Sequence, residues 1–214
     1  MSSTEPQPRT VLLLIDIQDA FLEPTYWGPS RSNPSFEQNA ASLLTTYRSL
    51  IACSPLSHKI IHIAHASLNL ASPLHPSAPG FAFQAIAAPK EGELVITKNV
   101  NSGFIGTNLE EVLREHFQGK GVLYVAGLST DHCVSTTTRM AGNLGVCDAR
   151  GNDGDRGELG EVILVQDATA AWQKSQDGFE ADLVHRVHLE SLREFASIGQ
   201  TGDMVQQWKR WIVA

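Results

Sequence analysis

The stretch Tyr124-Val-Ala-Gly127-Leu-Ser-Thr-Asp-His-Cys133-Val134 decides how the chain is read. Val122 to Ala126 is a short apolar run with the character of a buried strand, and Gly127 interrupts it. Thr130 or Asp131 can then cap a helix beginning near Asp131, which places Cys133 in its first turn, just past the carboxyl end of a strand. Ligands collect at such strand ends in open α/β sheets. A helix N-terminus carries unpaired N–H groups and partial positive charge, so the spacing predicts a depressed thiol pKa and donors for an oxyanion. The competing reading is that Cys133 is a small buried hydrophobe.

Working outward, the same strand-then-functional-residue pattern recurs. Thr10 to Ile17 is a nearly unbroken apolar run suited to a central parallel strand, with Asp16 near its end, where a carboxylate needs a partner or a task. Lys59 to His65 reads as a second strand and Leu94 to Thr97 as a third, ending at Lys98. Helical spacing covers Phe36 to Ile51, and Thr107 with Glu110 forms a capping-box pattern for a helix that stops at Gly119. Val162 to Val165 is a fifth strand, Phe179 to Leu192 a helix whose apolar positions are Leu183, Val184, Val187 and Leu192, and Phe195 to Ile198 an edge strand. Thr201 caps a last helix reaching Trp208 and Trp211. This alternation predicts an α/β fold with a parallel sheet covered by helices on both faces.

Two loops stand apart. Residues 67–92 lack periodicity, and a loop of that length in a compact domain is usually a lid, a pocket wall or a contact surface. Residues 148–160 are rich in Gly and Asp, but their spacing does not match a calcium loop.

Composition limits the function classes. The 214 residues suit one domain, here 10–214, preceded by a polar tail over residues 1–9. The net charge of −7 argues against nucleic acid or an anionic membrane as partner. No apolar run approaches the ~18–20 residues of a membrane span, and the N-terminus has no secretory h-region. The 3 cysteines are widely spaced and odd in number, as in reduced cytoplasmic proteins. Nothing resembles a G-x-G-x-x-G or G-K-[ST] phosphate cradle.

Asp16, Lys98 and Cys133 thus sit at the ends of three strands that share one sheet edge. They suggest thiol-based amide hydrolysis: Asp16 takes and returns the proton, Lys98 stabilises the thiolate and orients Asp16, and N–H groups at Ser129 and Cys133 bind the oxyanion. Gln18, Phe21, Trp27, His65, Phe104, Leu128, His132 and Trp172 are candidates for the substrate-binding wall, since they lie near the same edge.

The segments Leu-Leu-Ile-Asp16-Ile-Gln18-Asp-Ala-Phe21, Ile-Thr-Lys98-Asn-Val-Asn-Ser-Gly-Phe104 and Gly127-Leu-Ser-Thr-Asp-His-Cys133-Val resemble the isochorismatase-like cysteine hydrolases. That family includes nicotinamidases, carbamoylsarcosine amidases and ureide-type amidohydrolases. The resemblance implies a Rossmann-like, three-layer α/β/α fold with a six-stranded, mostly parallel sheet and an Asp-Lys-Cys triad. It also implies a non-proline cis peptide at Leu128–Ser129, and a homo-oligomer, dimer or tetramer, whose neighbouring subunits help close a pocket for a small molecule. Metal-dependent nicotinamidases carry an Asp-x-His cluster where this chain reads His65-Ala-Ser-Leu-Asn69, so no catalytic metal is expected, and the thiol mechanism itself calls for no organic cofactor. His62 and His65 point to opposite faces of their strand, and His185 and His188, on one helix face, read as surface or packing residues. Two other functions fit the same residues: vinyl-ether hydrolysis of isochorismate with Asp16 as general acid, and a non-catalytic interaction protein on this fold.

Overall fold

A computed structural model describes residues 7–150 and 157–213. Residues 1–6 of the expected tail and 151–156 of the Gly/Asp-rich loop lie outside the described residues. In chain order, the elements that frame the molecule are β1 (Arg9–Ile15), β2 (Ser30–Arg31), α1 (Phe36–Cys53), β3 (His58–His65), β4 (Leu94–Lys98), α2 (Leu109–Phe117), β5 (Gly121–Leu128), α3 (Ser135–Leu144), β6 (Glu161–Ala170), β7 (Trp172–Gln173), α4 (Ala181–Leu192), β8 (Ser197–Gly199) and α5 (Thr201–Ile212).

Six strands form one sheet in the order β4-β3-β1-β5-β6-β8, every neighbouring pair parallel. The chain builds outward from β1 in one direction through β3 and β4, then returns to add β5, β6 and β8 on the other side. The order therefore reverses between β1 and β5, the point where open sheets leave a crevice. β2 and β7 make a separate antiparallel pair.

Side-chain alternation along the strands explains the three layers. Leu12 and Leu14 of β1, with Tyr124 and Ala126 of β5, pack on Leu43, Leu44, Tyr47 and Leu50 of α1 and on Trp208 of α5. Val11, Leu13, Ile15, Leu123 and Val125 face the opposite way, onto Leu109, Leu113 and Phe117 of α2, Val134, and Leu189 and Leu192 of α4. Central strands buried on both faces are the reason their sequence runs are continuously apolar.

Several expectations are corrected. Gly127 does not end β5; the strand continues to Leu128, with a register irregularity between Val125 and Gly127. A Cβ on Gly127, whose φ is +125°, would lie 2.1 Å from the Ile15 carbonyl oxygen, so glycine is required by close approach of β1 as well as by conformation. The capping box at Thr107 does not form: Thr107 Oγ1 accepts from Leu109 N at 3.3 Å, but Glu110 pairs with Arg114 one turn on, at 2.8 Å. Thr201 does not cap its helix; it is the first helical residue, and Asp167 Oδ1 from β6 accepts from both its N (2.8 Å) and its Oγ1 (2.9 Å). The last helix is thus capped from a distant strand. In α4 the buried positions are Ala181, His185, Leu189 and Leu192, while Leu183 and Val187 are exposed and Phe179 precedes the helix. The first strand begins at Arg9, and Gln7 donates to the Trp211 carbonyl at 3.0 Å. At the feet of the 148–160 loop, Asp148 Oδ1 accepts from Gly160 N at 2.9 Å, a turn-closing role.

Candidate active site

At the reversal point β1 stops one residue short of Asp16, which adopts a left-handed backbone (φ +51°) and turns the chain out of the sheet. Asp tolerates this region better than bulkier residues. The turn is anchored by Asp16 N donating to Ile63 O at 3.0 Å and Gln18 N donating to Asp16 O at 2.9 Å. On the other side of the crevice the Leu128–Ser129 peptide is cis. A π-helical turn, Thr130–Val134, follows, with Val134 N donating to Ser129 O at 3.2 Å. Cys133 therefore lies in this wider turn, ahead of α3, and not in the first turn of a regular α-helix.

Lys98 comes from two strands away. It is in register with His65 at the end of β3. Only a long side chain spans the roughly 10 Å from β4 to β1. Its ammonium reaches Asp16 Oδ2 at 2.6 Å, His65 Nδ1 at 3.1 Å and Cys133 Sγ at 3.3 Å. A lysine ammonium has three donors, and here each has a named acceptor. Asp16 and Lys98 have no exposed side-chain surface. Asp16 Oδ1 is buried without a hydrogen-bond partner, and one ligand-type atom from each of Asp16, His65 and Cys133 lies within 4.8 Å of the others. These residues can hold a cation, and each also has an atom in contact with Lys98 Nζ, so the site carries its own positive charge.

The electrostatics correct one expectation. Burial, together with the Asp16 carboxylate, pushes the Cys133 thiol well up, and the Lys98 ammonium only partly offsets this. The resting sulfur is thus a thiol beside a base, not a thiolate stabilised by a helix end. Burial first, and then Lys98, lowers the pKa of His65, which keeps the ring neutral and able to accept from Lys98.

The three residues open onto a cavity of about 210 Å³ lined by Asp16, Phe21, Trp27, His65, Ser72, Leu74, Asn101, Ser129, His132, Cys133, Trp172 and Lys174. Five of the expected wall residues are there: Phe21, Trp27, His65, His132 and Trp172. Phe21 stacks on Trp27 with centroids 4.5 Å apart and sits 5.5 Å from Trp172, giving one aromatic side. Three are not. Gln18 is fully buried and works as a clamp, its amide donating to the carbonyls of His65 and Phe81 and accepting from His65 N. Leu128 belongs to the core on the α1 side, and Phe104 packs against the core on the other face. Ser72, Leu74, Asn101 and Lys174 were not singled out from sequence. Ser72 and Leu74 fall in the 67–92 loop, whose length pointed to a pocket wall. For Asn101 the signal was its position three residues after Lys98. Lys174 had no signal, because β7 is only two residues long.

His62 does point away from the site, to Glu93 Oε2 at 2.8 Å. His185 is not a surface residue: it is buried, with Nδ1 2.9 Å from Thr130 Oγ1 and Nε2 3.3 Å from Asn33 Nδ2. It braces the turn that carries the cysteine. A larger open groove of about 1070 Å³ lies between β4 and α2. Its lining holds no cysteine, lysine or histidine, whereas the smaller cavity holds all three.

A parallel α/β sheet thus brings a buried Asp, Lys and Cys together at its topological reversal. Residues 10–197 match the sequence model of the Isochorismatase domain, and the chain belongs to the isochorismatase family of hydrolases. It is 35% identical over 206 residues to the isochorismatase family protein YrdC of Bacillus subtilis, covering 94% of this chain and 97% of that one. A crystal structure assigned to the same family, from Chromobacterium violaceum, superposes with a TM-score of 0.77 at 35% identity, covering 96% of this chain and all (100%) of that one. N-carbamoylsarcosine amidase from Thermoplasma acidophilum shares the fold, with a TM-score of 0.63 at 17% identity over 90% of this chain and 96% of its own. No described helix is long and apolar enough to cross a membrane.

Proposed function

We propose that the chain is a cofactor-free cysteine amidohydrolase that cleaves a C–N bond of a small amide through a thioester on Cys133. The observation that carries this reading is the contact of one buried ammonium with both Asp16 Oδ2 (2.6 Å) and Cys133 Sγ (3.3 Å). The Cys133 S–H proton passes to Asp16 as sulfur bonds to the amide carbon, and Lys98 stabilises the developing negative charge at sulfur. The raised thiol fits this order of events, with deprotonation coupled to attack. N–H groups of the Ser129–Cys133 turn hold the oxyanion, since the start of a helical turn leaves donors unpaired. The C–N bond then breaks and Asp16 returns its proton to the leaving amine. Water attacks the thioester, gives a proton through Asp16 to the departing sulfur, and leaves the acid. Phe21, Trp27 and Trp172 suit a planar or cyclic substrate.

A second reading is vinyl-ether hydrolysis of isochorismate. It is favoured by the same raised thiol and by the unpartnered Asp16 Oδ1, which would carry the proton of a general acid. Turnover by wild type and Cys133→Ala on nicotinamide, ureido compounds, N-carbamoyl amino acids and isochorismate separates the two. A loss of about 10³-fold or more on an amide supports the thiol mechanism. Full activity of Cys133→Ala on isochorismate replaces it with the acid mechanism.

We further propose a cytoplasmic homo-oligomer, dimer or tetramer. The free thiols of Cys53, Cys133 and Cys147 support the compartment. Exposed Leu22, Tyr26 and Leu70, gathered on one groove beside the site, support the assembly, which sedimentation tests.

A further inference from the structure

We propose that Lys174 is the anchor for a substrate carboxylate, so that the preferred amide is an anion. This inference rests on the amidohydrolase reading and names its substrate class.

Charge distribution around the cavity is the first argument. Asp16 is paired from behind by Lys98, and Lys174, paired in turn with Asp131, is the lysine among the lining residues. Asp131, the carboxylate in contact with Lys174, is not part of the lining. Its Oδ1 accepts from Ser129 Oγ at 2.9 Å, and its Oδ2 meets His132 Nδ1 at 2.9 Å and Lys174 Nζ at 3.1 Å. With both oxygens occupied and its side chain 7% exposed, Asp131 sits behind the rim.

Position is the second argument. A surface lysine normally samples many rotamers and loses that freedom when it is held. Lys174 is held. It follows β7, whose pairing with β2 brings Gly28 so close that a Cβ there would lie 1.7 Å from the Gln173 carbonyl oxygen. The Gln173 amide donates to the carbonyls of Ser175 and Gln176, fixing the turn that contains Lys174. Asp131 uses one of the three ammonium donors, and the side chain remains 45% exposed. The remaining donors suit an oxyanion carried by the substrate on the side of the cavity away from the buried Asp16–Lys98 pair.

The test uses two readouts on wild type, Lys174→Met and Lys174→Arg. Trp27 and Trp172 line the cavity, so fluorescence titration with benzoate and with benzamide measures binding without hydrolysis. Wild type is expected to bind benzoate about tenfold tighter, Lys174→Met to lose that preference, and Lys174→Arg to keep it. In turnover, Lys174→Met should raise KM for N-carbamoylglycine about tenfold with kcat little changed, and leave KM for propylurea, its uncharged counterpart, unaltered. Equal binding of benzoate and benzamide by wild type, or an equal loss on both substrates in Lys174→Met, overturns the anchor. A charge preference in binding without turnover of any amide overturns the amidohydrolase reading and leaves the anchor standing.

Discussion

Lys98 Nζ lies 2.6 Å from Asp16 Oδ2, and neither side chain has solvent-exposed surface. A buried ion pair of this kind is retained because each charge makes the other tolerable, and removing one partner is far more damaging than removing both. Lys98→Met should therefore cost about 3–5 kcal/mol in chemical denaturation as well as abolishing turnover. The double variant Asp16→Leu/Lys98→Met should recover much of the stability and none of the activity. Equal stability of wild type and Lys98→Met would show that the pair is not buried as described.

The close approach of β1 and β5 gives a second expectation. Gly127→Ala puts a methyl group 2.1 Å from the Ile15 carbonyl and forces a φ of +125° on a residue with a side chain. Destabilisation should exceed ~3 kcal/mol, read as loss of soluble protein or of the cooperative unfolding transition. Gly202→Ala, where nothing lies within 4 Å of the added carbon, is the control and should be neutral.

Asp167→Ala separates the fold from the chemistry. It removes the acceptor of both Thr201 N and Thr201 Oγ1 and should cost about 1–2 kcal/mol, with kcat unchanged. A thermal melt and one rate measurement check both parts.

Stability should fall as the solution is acidified below neutrality. Burial, then the neighbouring His116, lowers the pKa of His58 from 6.5 to about 4, and burial lowers those of His62, His65, His116 and His185. Folded pKa values below the unfolded value mean that the unfolded chain takes up protons first. The contribution is complete above about pH 6.5 and is lost as pH falls toward 4, worth up to ~3 kcal/mol for His58 alone. Denaturation midpoints at pH 7, 6 and 5 should decline steadily, and His58→Gln should flatten the slope. A midpoint independent of pH over that range would contradict the assignment.

What the sequence made legible, and what it did not, follows from the range of the forces involved. The central strands were readable because burial on both faces leaves an unbroken apolar run, and Asp16, Lys98 and Cys133 stood out as polar or reactive residues at the ends of such runs. Their meeting point needed only the parallel arrangement. The π-helical turn at Thr130–Val134 was not readable, since it depends on how β5 leaves the sheet. The cap on α5 comes from Asp167, 34 residues away from Thr201, where a local capping rule cannot reach. In α4 the apolar pattern pointed to Leu183 and Val187 as well as Leu192, yet those two are exposed and His185 is buried, with Thr130 and Asn33 satisfying its ring. Gln18 sits two residues after Asp16 in sequence but turns inward, and Lys174 reaches the cavity through a strand pair too short to leave a pattern.

The covalent step is the centre of this account. The direct measurement is rapid acid quench of wild-type enzyme turning over the amide it hydrolyses best, followed by mass spectrometry of the peptide containing Cys133. The account predicts an added acyl mass on Cys133 that appears within the first turnover and disappears as substrate is exhausted. Product formed at full rate with Cys133 never modified, and equally by Cys133→Ala, would contradict it.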